Sequence, residues 1–454
     1  MKKHIRKFLS NDMMAHVCEI CERYDFKPWG IWIYWDFAVV VSDPDSVKEV
    51  YRNLPTKTHL LYKTAAKYIG EGVFDLNGED IKRQRKIVLP AFRKNLIESN
   101  LPQVNKTAAK LVERMKGIVE KSADLEKIIE DEVLDLAFWI LTSGKYSINR
   151  DNRVVCEAFH GTMKTVQMRT MNPVYFWLVQ NWRKSKKQDD RDLRALFLEF
   201  KRVLDKEKSE FLRKTRECDD FEPANMFEFM LNAHLGLGEE KLSEKEFLTA
   251  CVTILTAAFE TTAFTIHASL LLMALHVDEQ QHVFEEQEAI FGASRREVEM
   301  EDLPKMIYLE YVLKETLRLF PPAPVIGKIT EKETMVAGLL LPKGCTVLIN
   351  NVALNRNPKY FTNPKSFEPR RFSPENSQGR HPFAFNPFSY GARNCPGSYQ
   401  GYMAMKTILS FIIRNFKVYP GEGLRSIEDI KFKMTVSMHL RRSMTLRLVS
   451  REVH

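Results

Sequence analysis

Between Glu244 and His276 the chain contains neither glycine nor proline. Ser243, with Glu246 three residues later, has the form of a capping box, which starts a helix by satisfying two orphan N–H groups reciprocally. From Cys251 to Leu275 apolar residues fall on nearly every face of that helix, so it must be surrounded, by a large core or by lipid. A chain of 454 residues is long enough to supply the core. Lipid is the alternative by length alone. Against it, Glu260, Thr261 and Thr262 sit together near the middle, and ordinary soluble sequence follows the helix. A carboxylate among apolar residues is costly unless it has a partner or a task.

The rest of the pattern arranges itself around this helix. Residues 1–330 read mostly as helix, and 331–454 mix strands, Pro-rich loops and one further helix. Trp32 to Val41 (WIYWDFAVVV) reads as an early strand or strand pair, rich in aromatic and β-branched residues. Asp43-Pro44-Asp45 ends it, with Asp45 or Ser46 as the cap of the next helix. Met335–Leu341 and Thr346–Val352 read as the two arms of a hairpin, turned by Pro342 and Gly344. With no repeat and no low-complexity linker, the expectation is a single α+β domain, predominantly α, over residues 1–454.

The net charge is +9, which suits an acidic partner or an anionic membrane surface. Nucleic acid is the weaker reading and is not expected as a partner, because no zinc-finger, aromatic-basic or basic-heptad motif accompanies the charge. Seven cysteines, an odd number at irregular spacing, argue against a disulfide framework and for a reducing compartment. Cys18 and Cys21 form a lone CxxC, read as two packed thiols on a helix rather than half of a zinc site. Met1 to Ser10 (MKKHIRKFLS) is basic, but no long apolar run follows, so neither a secretory leader nor a membrane span is read at this end.

The strongest chemical signal is Phe388-Ser-Tyr-Gly391-Ala-Arg393-Asn-Cys395-Pro-Gly397. Gly391 and Gly397 provide backbone conformations that a β-carbon would forbid, which suits a tight loop around Cys395. The apolar-periodic stretch Met403 to Phe416 predicts a helix after it. A helix N-terminus beside sulfur favours the thiolate. The bland alternative is a buried free cysteine in a turn. Three more segments bear on the choice. Glu315-Thr-Leu-Arg318 places an acid and a base on one helix face, stopped by Pro321, Pro322 and Pro324. Phe367-Glu-Pro369-Arg370-Arg371-Phe372 adds a second arginine. Ala257-Ala258-Phe259-Glu260-Thr261-Thr262 puts an acid beside a hydroxyl in the central helix.

Together these segments, in this order, resemble the cytochrome P-450 family. The first matches its haem-binding pattern FxxGxRxCxG at every fixed position. The next two resemble ExxR and the PERF segment, with Arg370 where the family has Glu; Arg370 is expected to face solvent. The last resembles the oxygen-activating stretch, with Ala258 in place of Gly, which narrows the groove expected there. A weaker match runs from Gly78 to Phe92, where Arg85 fits a WxxxR helix and Ile81 replaces Trp. The stretches PKYFTNPKSFEPRRF and PFSYGARNC look most like animal microsomal members, insect ones among them, of the clan that contains the fatty-acid ω-hydroxylases.

The resemblance implies a fold with a long central helix and a small β region near the substrate entrance. It implies haem b, with Cys395 as axial thiolate, Arg85 and Arg393 toward the propionates, and Phe388, Gly391 and Gly397 shaping the loop. Glu315, Arg318 and Arg371 are expected to form a buried triad behind that loop, tolerable only as a fully paired set. Glu260 and Thr261 are expected to relay protons during oxygen insertion into an apolar substrate. Ile254, Ala258, Val325 and Ile326, with the stretches Thr58–Tyr68 and Met171–Trp182, are the expected substrate contacts. The implied electron donor is NADPH through a diflavin cytochrome P-450 reductase, docking near the basic Lys82–Lys94 segment. The implied setting is the cytoplasmic face of the endoplasmic reticulum membrane; members of this kind begin with an anchor and a Pro-rich hinge, and the chain is read as starting after both. A haem-thiolate isomerase or dehydratase and a non-catalytic haem or lipid binder are the rival readings. Some relatives in that clan bind haem covalently through a Glu where Ala257 stands. A methyl group forms no ester, so acid–organic extraction of the loaded protein is expected to release all of its haem; haem retained by the denatured polypeptide would contradict the alignment of the central helix.

Overall fold

The computed structural model describes residues 13–33, 36–62, 72–73, 75–142, 144, 146, 157–159, 161–162, 183–218, 221–434 and 437–451. Its longer helices are α1 (Met13–Arg23), α2 (Pro44–Asn53), α3 (Gly78–Val88), α4 (Leu101–Lys116), α5 (Glu126–Leu141), α6 (Arg183–Glu217), α7 (Met226–His234), α8 (Glu244–Leu275), α9 (Val277–Phe291), α10 (Ile307–Leu319) and α11 (Ser398–Asn415). Between and after them run β1 (Trp29–Ile33), β2 (Asp36–Val41), β3 (Ser122–Asp124), β4 (Val325–Ile329), β5 (Thr334–Val336), β6 (Leu339–Leu341), β7 (Thr346–Asn350), β8 (Phe416–Pro420), β9 (Phe432–Met434), β10 (Met438–Leu440) and β11 (Thr445–Ser450). The class is α+β, predominantly α, as expected.

The capping box forms as read. Ser243 Oγ accepts from the Glu246 N–H, and the Glu246 carboxylate accepts from the Ser243 N–H at 2.9 Å. The helix it starts, α8, packs most extensively on α5 and also touches α6, α10, α11 and β8. It is long and apolar enough to cross a membrane. Here protein covers it: Phe247, Leu255, Ile266 and Leu270–Leu272 have essentially no exposed surface. Its hydroxyls are satisfied within the helix, since Thr253, Thr256, Thr265 and Ser269 each donate to the carbonyl four residues back.

The main sheet has the order β1-β2-β7-β4, with β2 and β7 parallel and the outer pairs antiparallel. Trp32–Val41 is thus part of a strand pair, Trp29–Ile33 with Asp36–Val41. Two local expectations need correction. The cap of α2 is Asp43, whose carboxylate accepts from the Ser46 N–H at 2.9 Å, because Pro44 takes the first helical position, where its missing N–H costs nothing. The hairpin is β5 with β6, turned at Ala337 and Gly338, both at positive φ, and does not include β7. Every residue of β7 is buried, so it needs a neighbour on each side and inserts between β2 and β4. It stops at Asn350, whose side chain caps the short helix Asn351–Leu354.

Candidate functional site

Cys395 sits between a single helical turn, Gly391–Arg393, and the start of α11, which begins earlier than the apolar pattern indicated. Its N–H donates to the Phe388 carbonyl at 2.8 Å and closes the loop. Gly391 makes the turn at φ +75°, where a side chain would be strained. Gly397 does not: its φ is −87°, and an added β-carbon would meet Phe92 and the Cys395 sulfur only at ordinary contact distances of 3.6 and 4.0 Å. Gly397 is instead the cap residue of α11, and its N–H points at the sulfur. Surrounding protein pushes the thiol pKa up, while that N–H and the charges of Arg85 and Lys57 draw it down. The residue is nevertheless exposed.

Four cations gather beside it. Arg393 donates to the Leu76 carbonyl at 2.8 Å, and Arg85 reaches the Asn394 carbonyl at 3.5 Å. Lys57 and Lys328 are joined by an isolated β-bridge. Burial lowers the pKa of all four, that of Lys328 to about 8 and that of Arg393 to about 10. Mutual repulsion adds to it: Arg393 acts on both lysines, and Arg85 on Arg393 and Lys57. The acid that offsets the cluster is Asp75. Sequence reasoning found Arg85 and Arg393; it had no signal for Lys57 or Lys328, which are ordinary surface residues by pattern.

In the middle of α8, Ala257, Ala258 and Thr261 are exposed and Ile254 is half-buried, a stripe at helical spacing. The Thr261 hydroxyl donates to the Ala257 carbonyl at 2.9 Å. Glu260 turns elsewhere. Its carboxylate accepts from Ser437 Oγ at 2.7 Å and lies 3.4 Å from His439 Nε2. No hydrogen bond joins Glu260 to Thr261, because consecutive helical positions diverge by about 100°. Val325 and Ile326 lie half-buried on β4. Of the two expected substrate stretches, Thr58 to Tyr62 is described; Met171–Trp182 and the remainder of Thr58–Tyr68 fall outside the described residues.

Glu315, Arg318 and Arg371 come together in the core. Arg318 grips Glu315 with two bonds of 2.7 Å, and both side chains have no exposed surface. Its remaining donors reach the carbonyls of Asn355, Pro364 and Ser366. Arg371 Nε reaches Glu315 at 3.4 Å, its Nη1 donates to Thr362, and Glu368 pairs with it at 3.1 Å. Arg370 is exposed, its guanidinium 5.4 Å from the centre of the Tyr308 ring. In the basic segment, Lys82 faces Glu79, Arg83 faces Glu246, Lys86 faces Glu239 and Glu240, and Lys94 faces Glu98, so much of its charge is already balanced. Cys18 and Cys21 lie on α1 with Asn350 and Trp29 against their sulfurs; among the described residues no group of His, Cys, Asp or Glu is arranged to hold a metal ion.

The profile of the family "Cytochrome P-450" matches residues 3–444. The sequence is similar to Probable cytochrome P-450 4ac3 of Drosophila melanogaster, 28% identical over 428 residues, covering 92% of this chain and 82% of the relative. It is 31% identical to Cytochrome P-450 4V2 of Pongo abelii over 447 residues, covering 92% and 81%. The fold matches the crystal structure of the cytochrome P-450DA heme domain with a TM-score of 0.84 at 20% identity, over 99% of this chain and 96% of that one.

Removing the acid from the buried network tests its weight. Glu315→Ala leaves two guanidinium groups without their shared carboxylate, a class of change that costs about 3–5 kcal/mol, comparable with the low end of a domain's stability. The expected result is a sharp loss of folded protein and a lower unfolding temperature by circular dichroism; wild-type melting would show that the pairing carries no weight.

Proposed function

The chain belongs to the cytochrome P-450 family, and we propose that residues 1–454 form one haem domain that inserts an oxygen atom from O2 into an apolar substrate, and that Cys395 would hold the haem iron through its thiolate. The observation that carries this reading is the Cys395 loop itself: an accessible cysteine closed onto Phe388, aimed at by the Gly397 N–H, beside a cluster of cations. The residues present fit haem b. Arg85, Arg393, Lys57 and Lys328 would neutralise its two propionates, and the stripe of Ala257, Ala258 and Thr261 offers a flat macrocycle close approach. When bound, haem with a thiolate ligand supplies O–O cleavage, favoured by electron donation from sulfur.

What this chain's own residues do follows from their placement. Phe388, Gly391 and Gly397 hold Cys395 on its loop, and α11 begins beside the sulfur, favouring its ionised form. Thr261 presents its hydroxyl oxygen to the site as an acceptor while its proton goes to Ala257; swinging that proton outward makes it a donor. Glu260, in the next position, is the carboxyl group that would supply protons and take them up again. Ile254, Ala258, Val325 and Ile326 would contact the substrate with apolar surface. Electrons are proposed to come from NADPH through a diflavin reductase on the Lys82–Lys94 face, where the exposed Arg93 adds to the paired cations. The resemblance to the clan that contains the fatty-acid ω-hydroxylases supports a microsomal setting on the cytoplasmic face of the endoplasmic reticulum, and fatty acids as first probes.

Cys395→Ser replaces a thiol with a far less acidic hydroxyl, which is a poor ligand for iron. The reduced, CO-bound protein is expected to lose the red-shifted Soret band of thiolate ligation; an unchanged band would identify another cysteine as the ligand. Thr261→Ala is expected to keep haem content and that band, to go on consuming NADPH, and to turn from oxygenated product to hydrogen peroxide, with product per NADPH down roughly 100-fold. Thr262→Ala, rotated about 100° around the helix, should change little. Wild-type coupling in Thr261→Ala, with loss in Thr262→Ala, would move the reading by one residue.

A further inference from the structure

Glu260 is engaged from outside its own helix. Ser437 and His439 reach it from the β9–β10 hairpin, across 177 residues of sequence in the case of Ser437. The hairpin's alternation makes this possible: Met438 and Leu440 are buried in the core, while Ser437 and His439 project from the other face. Ser437 Oγ is 2.7 Å from one Glu260 oxygen and 2.8 Å from His439 Nε2, and the same nitrogen is 3.4 Å from the other Glu260 oxygen. Ser437 is therefore hydrogen-bonded to both other groups, and His439 Nε2 lies at ion-pair distance from Glu260.

Counting protons fixes its direction. An ionised carboxylate only accepts, so Ser437 gives its single hydroxyl hydrogen to Glu260. Ser437 oxygen then has only lone pairs for His439, so Nε2 must carry a hydrogen and donate it. The imidazole is held with Nε2–H inward and Nδ1 as its second site of exchange. Its side chain keeps 20% of its surface exposed, while that of Glu260 keeps 16%. Both side chains are thus partly reachable by water, and His439 offers Nδ1 as a site where a proton can enter.

Resting on the reading of Glu260 as the proton supplier, we propose that Ser437 and His439 are its positioning residues, fixing the carboxylate and returning a proton to it after each delivery. The return balances without any redox partner. His439 Nε2–H passes to Ser437 Oγ as the Ser437 hydroxyl hydrogen passes to Glu260, and Nδ1 takes a proton from a solvent hydronium ion, releasing water. The products are a neutral Glu260 carboxyl, an intact Ser437 hydroxyl and a neutral imidazole protonated on Nδ1. Exchange with water restores the starting tautomer. A carboxylate held only by its own helix would have no such route.

The charged groups acting on His439 are Glu260 on α8 and Lys433, its cross-strand neighbour on β9. Burial pulls the imidazole pKa below its usual value, Glu260 pulls it up and Lys433 pulls it down. Lys433 also acts on Glu126 of α5. These opposing influences give the experiment a signature that a merely structural contact lacks.

The test uses the haem-loaded, full-length chain. In its diamagnetic ferrous carbonyl form with isotope-labelled histidine, the His439 resonance is assigned by its loss in His439→Gln and titrated by NMR. Glu260→Gln is expected to lower the His439 pKa and Lys433→Gln to raise it. With dodecanoate as probe and reductase present, Ser437→Ala and His439→Gln are expected to keep haem content and the CO spectrum. Product per NADPH should fall about ten-fold, less than the roughly 100-fold expected for losing a positioned acid, because Glu260 remains. Ser437→Thr, which keeps the hydroxyl, should restore it. In the wild type, coupling should fall as pH rises through the His439 pKa, since the imidazolium is the stronger donor; that inflection should vanish in His439→Gln. A His439 pKa indifferent to Glu260→Gln overturns the proposal. So does wild-type coupling in Ser437→Ala and His439→Gln when Glu260→Gln uncouples, an outcome that leaves the reading of Glu260 standing. Wild-type coupling in Glu260→Gln removes that reading, and with it anything for the pair to position.

Discussion

Two guanidinium groups share one carboxylate in a part of the core that solvent does not reach, and the irregular chain around them depends on that network for its hydrogen bonds. Arg318 holds Glu315 on its own helix and, with its other donors, gathers the carbonyls of Asn355, Pro364 and Ser366. Those carbonyls belong to irregular chain with no ladder to satisfy them. Arg371 fastens the next stretch through Thr362 and Asn363. A charge transferred from water to such a site is expensive, and it is tolerated here because the donors of Arg318 and Arg371 and the Glu315 oxygens find partners. The network therefore acts as a scaffold for otherwise unpaired backbone. The segment that it organises leads directly to Phe388 and Cys395.

Above that scaffold, charge and apolar surface are kept apart. Lys57, Arg85, Lys328 and Arg393 concentrate positive charge at one side, strongly enough that burial and mutual repulsion depress their pKa values. The middle of α8 presents alanines and a threonine. Repulsion among like charges is a standing cost, and a ligand with paired carboxylates would relieve it. The same helix sends Glu260 to a different neighbour, the β9–β10 hairpin, so one element serves two environments about 100° apart around its axis.

Much of this was legible in the chain because its physics is local. The capping box of α8, the left-handed turn at Gly391 and the acid–base pair of α10 each involve residues within a turn or so of one another. The length and all-round apolarity of α8 required a large helical core, and one formed. Where the local signals failed, a competing local preference or a missing partner was responsible. Pro44 moved the start of α2, and β7 left its expected hairpin because its fully buried residues needed two neighbouring strands.

Other features depend on segments far apart in sequence; the joining of Arg371 to Glu315 was implied by the family resemblance, while no pattern within the segments announces the rest. Lys57 and Lys328 are brought together by a β-bridge, Arg371 joins Glu315 across 56 residues, and Ser437 reaches Glu260 across 177. Sequence periodicity says which face of an element is apolar; it does not say which other element will cover it. That choice is made when helices and strands pack, since each buried polar group must then find a partner among whatever the fold brings near. The chain thus specifies its elements and the chemistry of the Cys395 loop, while the surroundings of Glu260 and the full set of cations beside Cys395 are settled by tertiary packing.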